Sequence, residues 1–435
     1  MASAAGLAYD ARVAMGRSRQ RIGLWMIGAC GGVGSTVALG LAALGKRLTG
    51  TTGLVSALPE FESLGLIDAG DIVVGGHEIR SQTLLSAVRA THAESGVFQP
   101  EMIRACAPVL RRFQRNIQPG IVYGSTRQIQ QMAATGSVRR VATAAAAVAA
   151  VRRDLECFRR RCGVDHVVVV NVASSEPPRK REPAHASYAK LARAMRTKGA
   201  KVLPASALYA LGAVSADCSY INFTPSVGMR VKAIEQFAQD RDVLFAGRDG
   251  KTGETLVKSV LAPMFAMRNL KLHSWMGCNV LGNRDGEVLD DPKVKVSKLA
   301  SKDRLVSRIV GYGPEMRTSI EYLPSLHDWK VAWDFIHFGG FLDTKMSLQF
   351  TWTGCDSILA APLVIDLVRL TAFEYAAGRR GRMDHLACFF KDPDGGKEHG
   401  FADQWRRLVG HVVGRRDGGT KGRRDGGRRC GGMKE

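Results

Sequence analysis

Ile22-Gly-Leu-Trp-Met-Ile-Gly-Ala-Cys-Gly-Gly-Val-Gly-Ser-Thr36 decides the fold class. The apolar run Ile22 to Ile27 has the length of a buried strand and enters Gly28-x-x-Gly31-Gly32-x-Gly34 directly. Val37-Ala-Leu-Gly-Leu-Ala-Ala-Leu44 then reads as an apolar helix. Strand, glycine turn and helix in that order form a cradle for a nucleotide pyrophosphate. The glycines let the backbone turn tightly and approach the anion, and the helix N-terminus offers free N–H groups at a positive dipole end. The spacing is not a strict G-x-G-x-x-G, so the stretch alone also suits a strand-to-helix turn in any α/β protein.

Outward from this stretch the alternation continues. Asp71-Ile-Val-Val-Gly-Gly76 is a second strand, and His77-Glu78 stand at its carboxyl end. There Glu78 is a candidate to hold an adenosine ribose hydroxyl, although it lies about 50 residues on rather than the usual 20 or so. Residues 98–117 and 137–161 read as helices, the second alanine-rich with flanking arginines. Asp165-His-Val-Val-Val-Val-Asn-Val172 reads as a central parallel strand whose carboxyl edge carries Ala173, Ser174, Ser175 and Glu176. A helix at 184–198 and strands at 200–203 and 219–223 complete a doubly wound parallel pattern of the Rossmann kind.

Beyond a helix at about 254–268 the texture changes. Trp329, Val331, Trp333 and Phe335 share one face of a strand, with Asp328, Lys330 and Asp334 on the other, and Ser347 to Trp352 alternates similarly. A half-exposed, largely antiparallel sheet follows from that pattern, and with it a second α+β domain. Cys355 to Ala377 reads as a long apolar helix. The expected organisation is an N-terminal arm over 1–20, a dinucleotide domain over 21–245, a second domain over 246–360, a return to the first over 361–400, and a basic tail over 401–435. From about Thr420 that tail has too little apolar material to fold.

Length and composition agree. The 435 residues are 45% hydrophobic and 23% charged, as in a soluble globular chain of two or three domains. No apolar run approaches the roughly 20 residues of a membrane span, and no signal core opens the chain. Nine cysteines without C-x-x-C pairs point to reduced thiols in a cytoplasm. The formal charge of +22 is concentrated in arginine clusters and the tail. Those basic stretches lack interleaved aromatics, which argues against a nucleic-acid partner.

Four clusters carry candidate chemistry: Gly247-Arg-Asp249-Gly-Lys251-Thr252-Gly253, Asn279-Val-Leu-Gly-Asn283-Arg-Asp285-Gly286, Ser297-Lys298-Leu-Ala-Ser-Lys302, and Asp328-x-Lys330 with Asp356 and Lys391. Singly, each has an ordinary reading as a turn, a helix cap or a solvated lysine pair. In order, from about residue 21 to 393, they resemble the myo-inositol-1-phosphate synthase family. The shared motifs include Asp249-x-Lys-Thr-Gly253, Leu281-Gly-Asn-x-Asp-Gly286, Ser297-Lys-x-x-Ser-Lys302, Asp328-x-Lys-Val-Ala332, Asp356-Ser-x-Leu-Ala-Ala-Pro-Leu363 and Phe389-Phe-Lys391. The absence of long insertions is closer to the compact prokaryotic members.

The resemblance implies conversion of D-glucose 6-phosphate into 1D-myo-inositol 3-phosphate by NAD-dependent oxidation at C5, enolisation, intramolecular aldol closure and re-reduction. It implies Lys298, Lys330, Lys391, Asp249 and Asp356 as catalytic residues, and Lys302, Thr252 and Asn283 as substrate-binding residues. NAD would be held by Gly28, Gly31, Gly32, Val33, Gly34, Ser35, Glu78, Ala173, Ser174, Asp249 and Asp285. It further implies a homotetramer formed through the second sheet, and leaves open a divalent or monovalent cation near Asp285. The chain departs from the family pattern at His77-Glu78, where Trp-Asp is expected, and at Asp392, which is placed to pair with Lys391. The residues taken alone also fit an NAD-dependent dehydrogenase of a phosphorylated sugar or polyol with net redox turnover.

Overall fold

A computed structural model of the chain describes residues 20–283, 286–287, 305–396 and 398–413. Asp285, Lys298 and Lys302 lie outside the described residues. The first strand, β1 (Ile22–Ile27), is buried along its whole length. Its side chains alternate between two cores: Ile22, Leu24 and Met26 in one, Trp25 and Ile27 in the other. Then come α1 (Gly32–Gly45), β2 (Ile72–Glu78), α2 (Leu84–Ser95), α3 (Pro100–Gln114), β3 (Ile117–Pro119), α4 (Ala144–Cys162) and β4 (His166–Asn171). Local signals set several boundaries. Thr83 and Thr143 cap α2 and α4 by accepting from Ser86 N and Ala146 N, and Gly163 ends α4 at φ 58°. The half closes with α5 (Tyr188–Met195), α6 (Ala205–Ser215), β5 (Ser219–Asn222), α7 (Lys232–Asp240) and β6 (Phe245–Gly247).

These strands form one parallel sheet in the order β3-β2-β1-β4-β5-β6, the doubly wound dinucleotide-binding order. The strand expected at 200–203 does not form. The carbonyls of Ala200 and Val202 accept from Tyr123 Oη and face His185 Nε2 instead of a neighbouring strand. Pro204, with no N–H to give a ladder, then opens α6.

The second sheet follows α8 (Glu254–Met267) and comprises β7 (Lys271–Leu281), β8 (Glu315–Tyr322), β9 (Trp329–Gly339) and β10 (Lys345–Cys355). Its order is β10-β9-β7-β8; β7–β9 and β9–β10 are antiparallel, whereas β7–β8 is parallel. The aromatic face of β9 is the outer one. Trp329 and Trp333 are exposed, while Ala332, Asp334 and Ile336 turn inward. Asp334 is tolerated there because Trp275 Nε1 donates to it at 2.6 Å and Lys258 of α8 lies 3.7 Å away.

α9 (Asp356–Ala376) then returns to the first sheet and packs on α1, with Ile365 beside Gly40. Its Asp366 accepts from Val55 N and Ser56 N, and burial pushes this carboxyl up to about 6. The tail expected from 401 begins as a helix instead, α10 (Phe401–Val413). Phe401, Trp405, Leu408 and Val412 make an apolar stripe at helical spacing that joins the first core, where Trp405 meets Phe61. Residues 414–435 lie outside the described residues.

Candidate active site

The carboxyl ends of the parallel strands and the inner face of the second sheet enclose a cleft of about 640 Å³. One end is built by the glycine turn. Gly28 sits at φ +85°, and a Cβ there would be 3.0 Å from Ala173 Cα. Gly34 packs on Ala29 O, with room for no side chain. No side chain caps α1, so its first N–H groups remain available to an anion. Gly28, Gly31, Gly32, Val33, Ser35, Ala173 and Ser174 line the cleft. Ser35 Oγ, however, donates to Gly31 O at 2.8 Å and serves its own helix. The donor set and the backbone cradle fit a pyrophosphate.

Glu78 ends β2 at the position where an adenosine ribose would lie, and also lines the cleft. Its carboxylate is already engaged. It accepts from Cys30 N (2.9 Å), Ile79 N (2.9 Å), Arg80 N (3.1 Å) and the Arg80 guanidinium at Nε (3.1 Å) and Nη2 (3.2 Å). His77 points into the protein: Trp25 Nε1 donates to its Nδ1, and its Nε2 is 3.0 Å from Asp154. Burial holds this imidazole below its ordinary pKa, so it is neutral.

The other end carries two lysine–carboxylate pairs. Lys391 Nζ donates to Asp249 Oδ1 at 3.0 Å, where Asp249 follows β6 with its backbone at φ 63°. Lys330 from β9 donates to Asp356 at the start of α9 and to Thr252 Oγ1 at 3.2 Å. Asn283 Nδ2 donates to the second Asp356 oxygen at 3.1 Å. Thus Asp249, Thr252, Asn283, Lys330, Asp356 and Lys391, drawn from distant motifs, line the cleft that the glycine turn also lines. Asp392 does not pair with Lys391. It binds Arg230 (2.6 Å) and Arg248 (3.0 Å), and these guanidinium groups hold its pKa below the ordinary carboxylate value despite burial.

Two features escape the sequence reading. Asp328 acts as a remote cap for α9: its oxygens accept from Ser357 N (3.0 Å), Ser357 Oγ (3.1 Å) and Cys355 Sγ (3.0 Å). Burial pushes its carboxyl above the ordinary value. Ser357 in turn abuts the glycine turn, since a Cβ on Gly32 would lie 2.5 Å from Ser357 Oγ. The second is a buried triad that reaches the cleft at Glu254: Lys258 Nζ lies 2.6 Å from Glu254 and 3.7 Å from Asp334, and 5.5 Å from the Trp275 ring centroid. The i, i+4 spacing of Glu254 and Lys258 was its only local signal.

Fold and cleft together define a dinucleotide-binding α/β enzyme whose cleft carries two lysine–carboxylate pairs. The family model described as myo-inositol-1-phosphate synthase matches residues 22–412. An inositol-3-phosphate synthase 1 of Bacteroides thetaiotaomicron is 30% identical over 89% of this chain and 94% of its own. The inositol-3-phosphate synthase of Drosophila melanogaster is 27% identical over 82% of this chain and 68% of its own. Among solved structures, the inositol-3-phosphate synthase of Caenorhabditis elegans shares the fold, with a TM-score of 0.81 at 23% identity, covering 91% of this chain and 86% of that one. The chain belongs to the myo-inositol-1-phosphate synthase family.

Proposed function

We propose that the cleft converts D-glucose 6-phosphate into 1D-myo-inositol 3-phosphate, an isomerisation in which oxidation at C5 is reversed before product leaves. Family membership supports this reading, and the observation that carries it is the convergence of Lys330–Asp356 and Lys391–Asp249 on the cleft of the glycine turn. When bound, NAD supplies a hydride acceptor that the same cycle reoxidises. Ammonium groups fixed by carboxylates suit a substrate whose oxygens become anionic. Negative charge develops on the C5 oxygen during enolisation and on the C1 oxygen during aldol closure. Lys391 and Lys330 serve the C5 oxygen, each aimed by its aspartate. Thr252 and Asn283 lie beside Lys330, where a substrate phosphate gains a charge-assisted contact. Lys298 is assigned to the C1 oxygen and Lys302 to the phosphate from their motif alone. The substrate phosphate is itself a candidate base for the C6 proton.

The outer face of the second sheet supports assembly with further copies. Met276, Trp333 and Phe335 share it, together with exposed Trp329, so an apolar surface is left uncovered in a single chain. A homotetramer formed through this sheet would cover it. No described helix is long and apolar enough to cross a membrane, and the described cysteines are free thiols, in keeping with a cytoplasmic enzyme.

The test is incubation with glucose 6-phosphate and a catalytic amount of NAD⁺. Inositol phosphate should form without accumulation of NADH. A net dehydrogenase would instead reduce the NAD⁺ present, mole for mole with substrate, and then stop.

A further inference from the structure

The adenosine end of the cleft departs from what an NAD-selective site needs. In doubly wound folds a carboxylate at the end of the second strand accepts the ribose hydroxyls and repels a 2′-phosphate, whereas a nearby arginine accommodates that phosphate. Glu78 occupies the carboxylate's place, but a carboxylate offers only about four lone-pair sites. Five N–H groups already converge on it: those of Cys30, Ile79 and Arg80 from the backbone, and Nε and Nη2 of Arg80. It is therefore saturated, and its charge is offset by the guanidinium. Its bond to Cys30 N ties the glycine turn to β2, a structural task rather than a ligand contact.

Arg80 retains donors that Glu78 does not use. Its side chain is 18% exposed and lines the cleft, and a Cβ on Gly31 would lie 3.8 Å from its Nη2. The guanidinium thus stands between the glycine turn and the ribose position, with planar geometry suited to a phosphate. We propose that this chain accepts a 2′-phosphate at the adenosine ribose, so that NADP binds in the cleft as well as NAD, with Arg80 as the residue that holds the extra phosphate. This rests on the dinucleotide reading of the cleft.

Calorimetric titration of the full, nucleotide-free chain with NAD⁺ and with NADP⁺ tests it without recourse to turnover. The Kd for NADP⁺ should fall within about tenfold of that for NAD⁺, and Arg80→Ala should raise the NADP⁺-to-NAD⁺ Kd ratio by about fivefold or more, because it removes the phosphate's partner and uncovers Glu78. NAD⁺ binding with NADP⁺ more than tenfold weaker, or a ratio that Arg80→Ala moves by less than fivefold, overturns the proposal and leaves the dinucleotide site standing. Binding of neither dinucleotide removes the dinucleotide reading and the proposal with it. Should Arg80→Ala not fold, the parent chain still decides. NADP⁺ affinity must fall more steeply with salt than NAD⁺ affinity, and equal slopes contradict a guanidinium–phosphate contact.

Discussion

At Lys330 the site's logic is visible in one side chain. Its ammonium group is shared between Asp356 and Thr252, so it is held in place before any substrate arrives. Lys330→Ala should lower kcat by about 10²–10³-fold, the scale of losing one preorganised donor to a developing oxyanion, while dinucleotide affinity stays within about threefold. Steady-state kinetics alongside cofactor titration check this, and an unchanged kcat would remove Lys330 from the chemistry. Gly32 makes a different point. A Cβ there meets Ser357 Oγ at 2.5 Å, so Gly32→Ala should push α9 off the glycine turn and weaken dinucleotide binding. Adding Ser357→Ala should recover much of that loss, because the facing Cβ lies 3.7 Å away; a double variant as weak as the single one would place the defect within the turn. None of this proximity can be read in the sequence, where Gly32 and Ser357 are far apart. The glycine pattern, Lys330 and Lys391 could be picked out because local geometry or family resemblance marks them. The saturation of Glu78 was not, because it depends on where the Arg80 side chain folds back.

At the scale of elements, most of the doubly wound half was legible from buried runs, caps and glycines. α10 was not, because its apolar stripe sits among charged residues at the start of a basic tail. Its Gln404 accepts from Lys251 Nζ at 2.5 Å, which links this helix to the loop carrying Asp249 and Thr252. Burial lowers the Lys251 ammonium from its ordinary 10.5 to about 8. Between these two values the unfolded chain binds the proton and the folded chain does not, so stability rises with pH from about 8 to 10.5. Below about pH 8 the folded chain carries the full penalty, about 3 kcal/mol. Lys251→Met should therefore raise the urea midpoint at pH 7 and flatten its rise above pH 8. A lower midpoint at pH 7 would show that the contacts to Gln404 and the Phe401 ring outweigh the burial.

For the whole molecule, the alternation of β9 correctly indicates a two-faced sheet, but apolarity does not identify the face that packs within the chain. The inner face holds Asp334 against Lys258 and Trp275, and Trp329 and Trp333 turn out. On the tetramer reading, Trp333→Glu should shift the light-scattering mass towards smaller species with little change in secondary structure by circular dichroism; an unchanged mass would exclude this face as the interface. The central claim is that oxidation and re-reduction occur in one cleft on one substrate molecule. Glucose 6-phosphate carrying deuterium at C5 tests it most directly. The label should be retained at the corresponding carbon of the inositol phosphate even when unlabelled NADH is present in solution, since hydride leaves and returns without release of the carrier. Loss of the label to the free cofactor pool would contradict the account.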